Sequence, residues 1–328
     1  MIETSGLRKS FRSRAGRAER HGADGQARQR QKTVEAVRGV DLSVAEGEIF
    51  GFLGPNGAGK TTTLRMLATL LEPDGGSAVI AGADLRKEPG EVRRRIGYVA
   101  QGGSTWDEST GREELVLHAR MYGIGKADAQ RRADEALQTF ELAEYADRRC
   151  KTYSGGQRRR VDIALGIIHS PKVVFLDEPT TGLDPQSRAH MWGEVRKLRE
   201  MGMTVFLTTH YLDEADALCD RLAIMDHGQI VAEGTPADLK QEVLGDVVSV
   251  NAREVAKAAD LFDNAEYVRK VETTEQSLRL YVEDGASAIP HVLRTLDAEG
   301  VAIEGIELHR PSLDDVFLAK TGRSLRES

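Results

Sequence analysis

Residues Gly54, Pro55, Asn56, Gly57, Ala58, Gly59, Lys60 and Thr61 run as GPNGAGKT, types and spacing suited to holding phosphate. They fit G-x-x-x-x-G-K-[ST], whose glycines let the backbone curl until its N–H groups face an anion. The sequence after the loop reads as a helix, and a helix N-terminus adds partial positive charge at the same place. Lys60 can reach β- and γ-phosphates, and Thr61 offers a hydroxyl to Mg²⁺. Thr62 follows directly and is taken with the same site. About a hundred residues on, KVVFLDEP (172–179) is an apolar run closed by two acids and a proline. A parallel sheet presents ligands at the C-terminal ends of its strands. Asp177 is therefore placed at the Mg²⁺ shell, and Glu178 as a general base toward water. Between the two lies TYSGGQRRR (152–160), a serine and two glycines before a predicted helix. That opening can present a hydroxyl and N–H groups to a second anionic surface.

The elements that must position these groups alternate in type. IFGFL before the glycine loop, IGYVA (96–100), VVFLD and TVFLTTH (204–210) read as buried strands, with helices between them. Such alternation predicts an α/β fold with a mainly parallel sheet covered on both faces. TVEAVRGVDLSV (33–44) reads as a further strand, and residues 111–149 as a charged helical region. Residues 8–32 are rich in Arg, Gly and Gln with few apolar residues, which predicts a basic flexible insertion. After residue 245 the runs VVSV, YVRKV, LRLYV and VAIEGIEL alternate with two helical stretches, the second at 288–298. That β-α-β-β-α-β order predicts a small α+β ferredoxin-like domain, with a bulge at Gly305 in its last strand. The expected domains are thus 1–245, with a helical subdomain at about 101–160, and 246–328. LDDVFL (313–318) reads as a short helix with Leu313, Val316, Phe317 and Leu318 on an apolar stripe.

Composition narrows the functional classes. The chain has 328 residues, 40% hydrophobic and 30% charged, with a net charge of −7, so no general attraction to nucleic acid is expected. Cys150 and Cys219 provide neither a disulfide framework nor metal-ligand spacing, which fits a reducing cytosol. No apolar run approaches the roughly 18 residues of a membrane span, and MIETSGLRKSF lacks the apolar core of a signal peptide. If the protein works at a membrane, another chain must do the crossing.

GPNGAGKT, Gln101, YSGGQ, VVFLDEP, TGLD and His210 occur in the order and spacing of the ATPase subunits of ABC transporters, which the chain resembles over about residues 1–240. The resemblance implies a P-loop NTPase fold of the ABC type that binds ATP with Mg²⁺ and hydrolyses it. Ser154, Gly155, Gly156 and Gln157 then look like the signature loop, with Tyr153 where leucine is usual. In the family that loop acts in trans, two subunits meeting head to tail with each ATP between one phosphate loop and the other's signature. The resemblance makes Gln101 a Q-loop glutamine touching Mg²⁺ and water, Asp184 a D-loop residue at the dimer seam, and His210 the switch histidine near the γ-phosphate. Phe11 stands about where the family stacks an aromatic ring on adenine. Arg158, Arg159 and Arg160 fall where cations oppose the helix dipole. They face either the partner's acids or phosphates, or solvent.

The run YSGGQRRR, TTGLDPQSR and the C-terminal PSLDDVFLAKTG most resemble the daunorubicin/doxorubicin-resistance ATP-binding subfamily of exporters. That implies a homodimer, peripheral on the cytoplasmic face of the membrane, energising a separate polytopic permease that moves hydrophobic drugs outward. Two other readings stay open: export of a lipid or glycan, and a non-transport regulatory ATPase that senses a ligand through its C-terminal domain.

Overall fold

Wholly buried runs pair side by side at the centre of the N-terminal part of the chain. Ile49–Leu53, Val173–Asp177 and Thr204–Thr209 expose no residue. They lie in a six-stranded sheet of order Gln229–Gly234, Arg221–Asp226, Ile49–Leu53, Thr204–Thr209, Val173–Asp177, Ile96–Val99. The pairings among the five strands from Arg221–Asp226 to Ile96–Val99 are parallel. Phe206 lies 5.7, 5.6 and 5.7 Å from the rings of Phe50, Phe52 and Phe175, so neighbouring strands share one aromatic cluster. The computed structural model describes residues 1–13, 32–243, 245–252, 254–262, 265–274 and 277–325.

A second, antiparallel sheet was not foreseen. Its order is Lys32–Val44, Ile2–Ser13, Gly75–Ile80, Ala83–Asp84. The helix Lys60–Leu67 contributes Leu64, Met66 and Leu67 to a core shared by both sheets. Residues 8–13, assigned by composition to a flexible insertion, continue the first strand, with Arg8 opposite Arg38 and Phe11 opposite Val34. The strand forms because Leu7 and Val40 are buried together at its inner end. From there the backbone ladder carries polar side chains that composition alone assigns to coil. Residues 14–31 of the expected insertion lie outside the described residues. The helical region contains Gly111–Met121, Lys126–Thr139 and Gly155–Ile167.

The chain divides into two units, Met1–Glu233 and Gly234–Ser328. The division falls twelve residues before the expected 245 because the helix Pro236–Val243 packs on the helix Leu313–Thr321, both in the second unit. The second unit's strands run in the order Val268–Thr273, Ser277–Val282, Asp246–Ala252, Ile303–His309, all antiparallel, with Val255–Asp260 and Gly285–Ala298 as the crossover helices. That is the ferredoxin-like arrangement. Its core holds Val248, Val250, Leu278, Leu280, Val292 and Leu296. The register slips between Gly305 and Ile303, where the glycine interrupts the alternation. Leu313, Val316 and Phe317 are buried, whereas Leu318 is 47% exposed. Leu318 stands four residues after Asp314, which puts it on the polar side of the helix rather than in the stripe.

Candidate active site

The strand Ile49–Leu53 delivers the glycine loop at the C-terminal edge of the parallel sheet, where Gly54 N–H donates to the Thr209 carbonyl at 3.3 Å. Gly59, the residue before the helix, has φ 108°, and a Cβ there would come within 2.3 Å of the Ala36 carbonyl oxygen. Only glycine can let the loop close against the strand Lys32–Val44, which carries Ala36. Lys60 is buried, and its Nζ donates to the carbonyls of Gly54 at 2.6 Å and Pro55 at 3.0 Å. Burial pulls the ammonium below its ordinary pKa, against the attraction of Glu178 and Asp177. A cavity of about 350 Å³ opens over the loop, lined by Phe11, Ala36, Asn56, Gly57, Gly59, Lys60, Thr61, Thr62, Gln101 and Glu178. Phe11 is therefore brought to the loop by the strand that composition did not reveal.

The two acids at the end of Val173–Asp177 have different surroundings. Asp177 Oδ1 accepts from Thr61 Oγ1 at 2.9 Å and from Thr208 Oγ1 at 2.8 Å. Its Oδ2 is buried with no hydrogen-bond partner. A buried anionic oxygen left over beside a threonine hydroxyl fits a hard divalent cation. Glu178 has φ 45°, a left-handed conformation that costs about 1–3 kcal/mol in a non-glycine residue. Its N–H is held by the Thr208 carbonyl at 3.2 Å and by Thr208 Oγ1 at 3.0 Å. The turn swings the Glu178 carboxylate to where Oε2 accepts from Gln101 Nε2 at 2.8 Å and from Thr181 Oγ1 at 3.0 Å. His210 Nδ1 lies 3.3 Å from the same oxygen without hydrogen-bond alignment, and Lys60 Nζ lies 3.8 Å from Oε1. Burial by itself would raise the Glu178 carboxyl. The neighbouring His210 and Thr181, with the charge of Lys60, hold it below the ordinary value instead.

The remaining sites lie elsewhere on the same unit. Ser154 caps the helix Gly155–Ile167 in a reciprocal box, its Oγ accepting from Gln157 N–H at 3.2 Å while Gln157 Oε1 accepts from Ser154 N–H at 2.9 Å. Ser154 and Gly155 are exposed, and Tyr153 beside them is buried, its hydroxyl donating to the Tyr145 carbonyl at 2.5 Å. Asp184 caps the helix Pro185–Glu200, accepting from Ser187 Oγ at 2.6 Å and from Ser187 N–H at 2.9 Å, and those two bonds hold its carboxyl below its ordinary value. Gly156 borders Ser187, so the signature opening and the start of this helix share one surface. None of these residues lines the cavity over the phosphate loop. The arginine run splits three ways. Arg158 pairs with Asp107, Arg160 meets His190, and Arg159 is buried. Sequence reasoning missed Thr181 and Thr208, which hold Glu178. The signal was small: a hydroxyl three residues after the acid, and another near the C-terminal end of the strand that delivers His210.

Residues 37–181 match the family described as ABC transporter, and residues 234–321 match one described as "ATP-binding protein DrrA1-3-like, C-terminal domain". The chain is 46% identical over 294 residues to the "Daunorubicin resistance ATP-binding protein DrrA2" of Streptomyces coeruleorubidus, covering 88% of this chain and 90% of the relative. It is 45% identical over 297 residues to the "Daunorubicin/doxorubicin resistance ATP-binding protein DrrA" of Streptomyces peucetius, covering 88% of each. Among solved structures, the dimeric post-hydrolysis state of the ATP-binding cassette MJ0796 bound to ADP and Pi matches with TM-score 0.61 at 26% identity, over 72% of this chain and 98% of that one.

Proposed function

The chain belongs to the ABC family of ATP-hydrolysing transporter subunits, and from that premise we propose that it energises the export of hydrophobic drugs or antibiotics through a separate polytopic membrane chain. The support is the similarity to drug-resistance ATP-binding proteins, which runs through both units rather than through the ATPase motifs alone. No helix among the described residues is long and apolar enough to cross a membrane, so the crossing falls to that other chain. The subunit works peripherally, on the cytoplasmic face, as a head-to-tail dimer.

Residues Gly54 to Thr62 cradle the phosphates of ATP, with Phe11 against the base. Thr61, Asp177 and Gln101 are the residues that would hold Mg²⁺, which when bound draws charge off the phosphate oxygens. Asp177 Oδ2 is free to serve it. Glu178 takes the proton of the attacking water. Its depressed carboxyl pKa keeps it ionised for that task. His210, beside the same carboxylate, faces the γ-phosphate, and Lys60 moves from the loop carbonyls to the phosphates. Ser154, Gly155, Gly156 and Gln157 of a second copy close the open side of the nucleotide, with Asp184 at the seam.

Glu178→Gln keeps the cradle and removes the base. Turnover should fall about 10²–10⁴-fold while ATP still binds, and an ATP-loaded dimer should accumulate on gel filtration. Turnover at the wild-type rate would remove the assignment of the base. The exporter reading is tested separately by purification from membranes and by drug efflux with the membrane chain present. Recovery of the protein with no polytopic partner, or efflux indifferent to Glu178→Gln, rejects it.

A further inference from the structure

The helix that opens with the signature serine carries two charged residues that are buried. Arg159 is 6% exposed and Asp162 3%. They stand three residues apart on one face. Arg159 does not reach toward any partner surface. Its Nε donates to the Pro179 carbonyl at 2.8 Å and its Nη2 to the Asp177 carbonyl at 3.1 Å. Those carbonyls flank Glu178, the residue held in the left-handed conformation. Nη1 of the same guanidinium donates to the Ala100 carbonyl at 2.5 Å, directly before Gln101. Asp162 completes the grip, accepting through Oδ1 from Ser104 N–H at 2.8 Å and from Ser104 Oγ at 3.3 Å, three residues after Gln101. One helix face thus holds the backbone on both sides of the glutamine and on both sides of the glutamate.

Charged groups this buried seldom add stability, because desolvation offsets what their attraction contributes. What a guanidinium supplies is a rigid planar fork whose separated donors fix carbonyls from two segments in one geometry, which the compact, freely rotating ammonium of lysine does not reproduce. We propose that Arg159, with Asp162, is a positioning residue that ties the signature helix to the Gln101 and Glu178 backbones, so that nucleotide engaging Ser154 in one subunit sets the hydrolytic pair of that same subunit. The proposal rests on the ATPase reading with a signature loop acting in trans.

The full-length chain with Arg159→Lys, with Ser154→Ala and with both changes tests it by ATPase kinetics. Arg159→Lys should lower kcat about tenfold or more, as small misplacements of reacting groups do, with KM for ATP within about twofold. The double variant should lose much less than the product of the two single losses, because residues acting in one chain of contacts do not add. A wild-type kcat in Arg159→Lys, a loss shared equally by kcat and nucleotide binding, or effects that multiply would each overturn it. Should Arg159→Lys melt well below the wild type, Asp162→Asn takes its place under the same criteria. A silent Ser154→Ala rejects the trans signature itself, and the link with it, an outcome distinct from multiplying effects.

Discussion

Glu214 has its carboxylate wholly inside the protein, third in the helix Leu212–Leu218 that follows His210. Thr209, Thr180 and Trp192 face it, yet neither carboxylate oxygen has an aligned donor. Burial pushes the group above its ordinary value of 4.5, so the folded chain holds this proton at a pH where the unfolded chain has released it. Stability from this group is therefore present at low pH and declines as pH rises from 4.5 through the raised folded value. Glu214→Gln removes the titration while keeping the shape. Its melting temperature relative to wild type should climb as pH rises above 4.5, and a difference that stays flat with pH would sink the account. Cys150 follows the same logic. Burial pushes its thiol up to about 11, which leaves little thiolate at neutral pH and fits an inert core residue rather than a reactive one.

Among the elements of the described residues, three helices begin with one device. Thr110 with Glu113, Ser154 with Gln157, and Ser312 with Asp315 each form a reciprocal capping box. Each box satisfies two backbone donors that a helix start leaves open. In the signature helix that bond is local and leaves Ser154 exposed, so the helix cap and the proposed nucleotide contact fall on one side chain. The last helix, Leu313–Thr321, buries Phe317 completely and packs on Pro236–Val243 within the C-terminal unit. Phe317→Ala should cost that unit about 3–5 kcal/mol, as other large core truncations do. Calorimetry should show the C-terminal transition moving down while the ATPase unit's transition and ATP-driven association hold. A drop in association with ATP would mean that the helix serves the dimer instead.

For the whole molecule, where the units divide decides which truncation survives. The helix Pro236–Val243 belongs to the second unit and buries Leu239 there. A chain ending at Glu233 should fold and bind nucleotide like the full-length protein, since it has its own core. A chain ending at Gly245 carries the same core plus one amphipathic helix stripped of its partner, and should aggregate more readily. Equal solubility and equal melting of the two truncations would show that the helix does not depend on the second unit.

The parallel sheet, the phosphate loop, Asp177, Glu178, the signature opening and the β-α-β-β-α-β order were all legible in the sequence, because each is a contiguous run whose periodicity or spacing expresses its backbone geometry. The antiparallel sheet was not. Residues 8–13 are polar apart from Phe11, and they form a strand only because Lys32–Val44 lies alongside to complete the ladder. Leu318 was misplaced for a related reason, since spacing places residues on a helix without saying which side the core occupies. The three adjacent arginines make the point most sharply. Nothing in RRR separates the second from its neighbours, yet rotation of about 100° per residue around the helix turns Arg159 alone into the protein, where carbonyls from distant segments meet it. Charge and motif follow from order along the chain. Which groups share a buried space is decided by the packing of segments far apart in that order, and no local pattern encodes it.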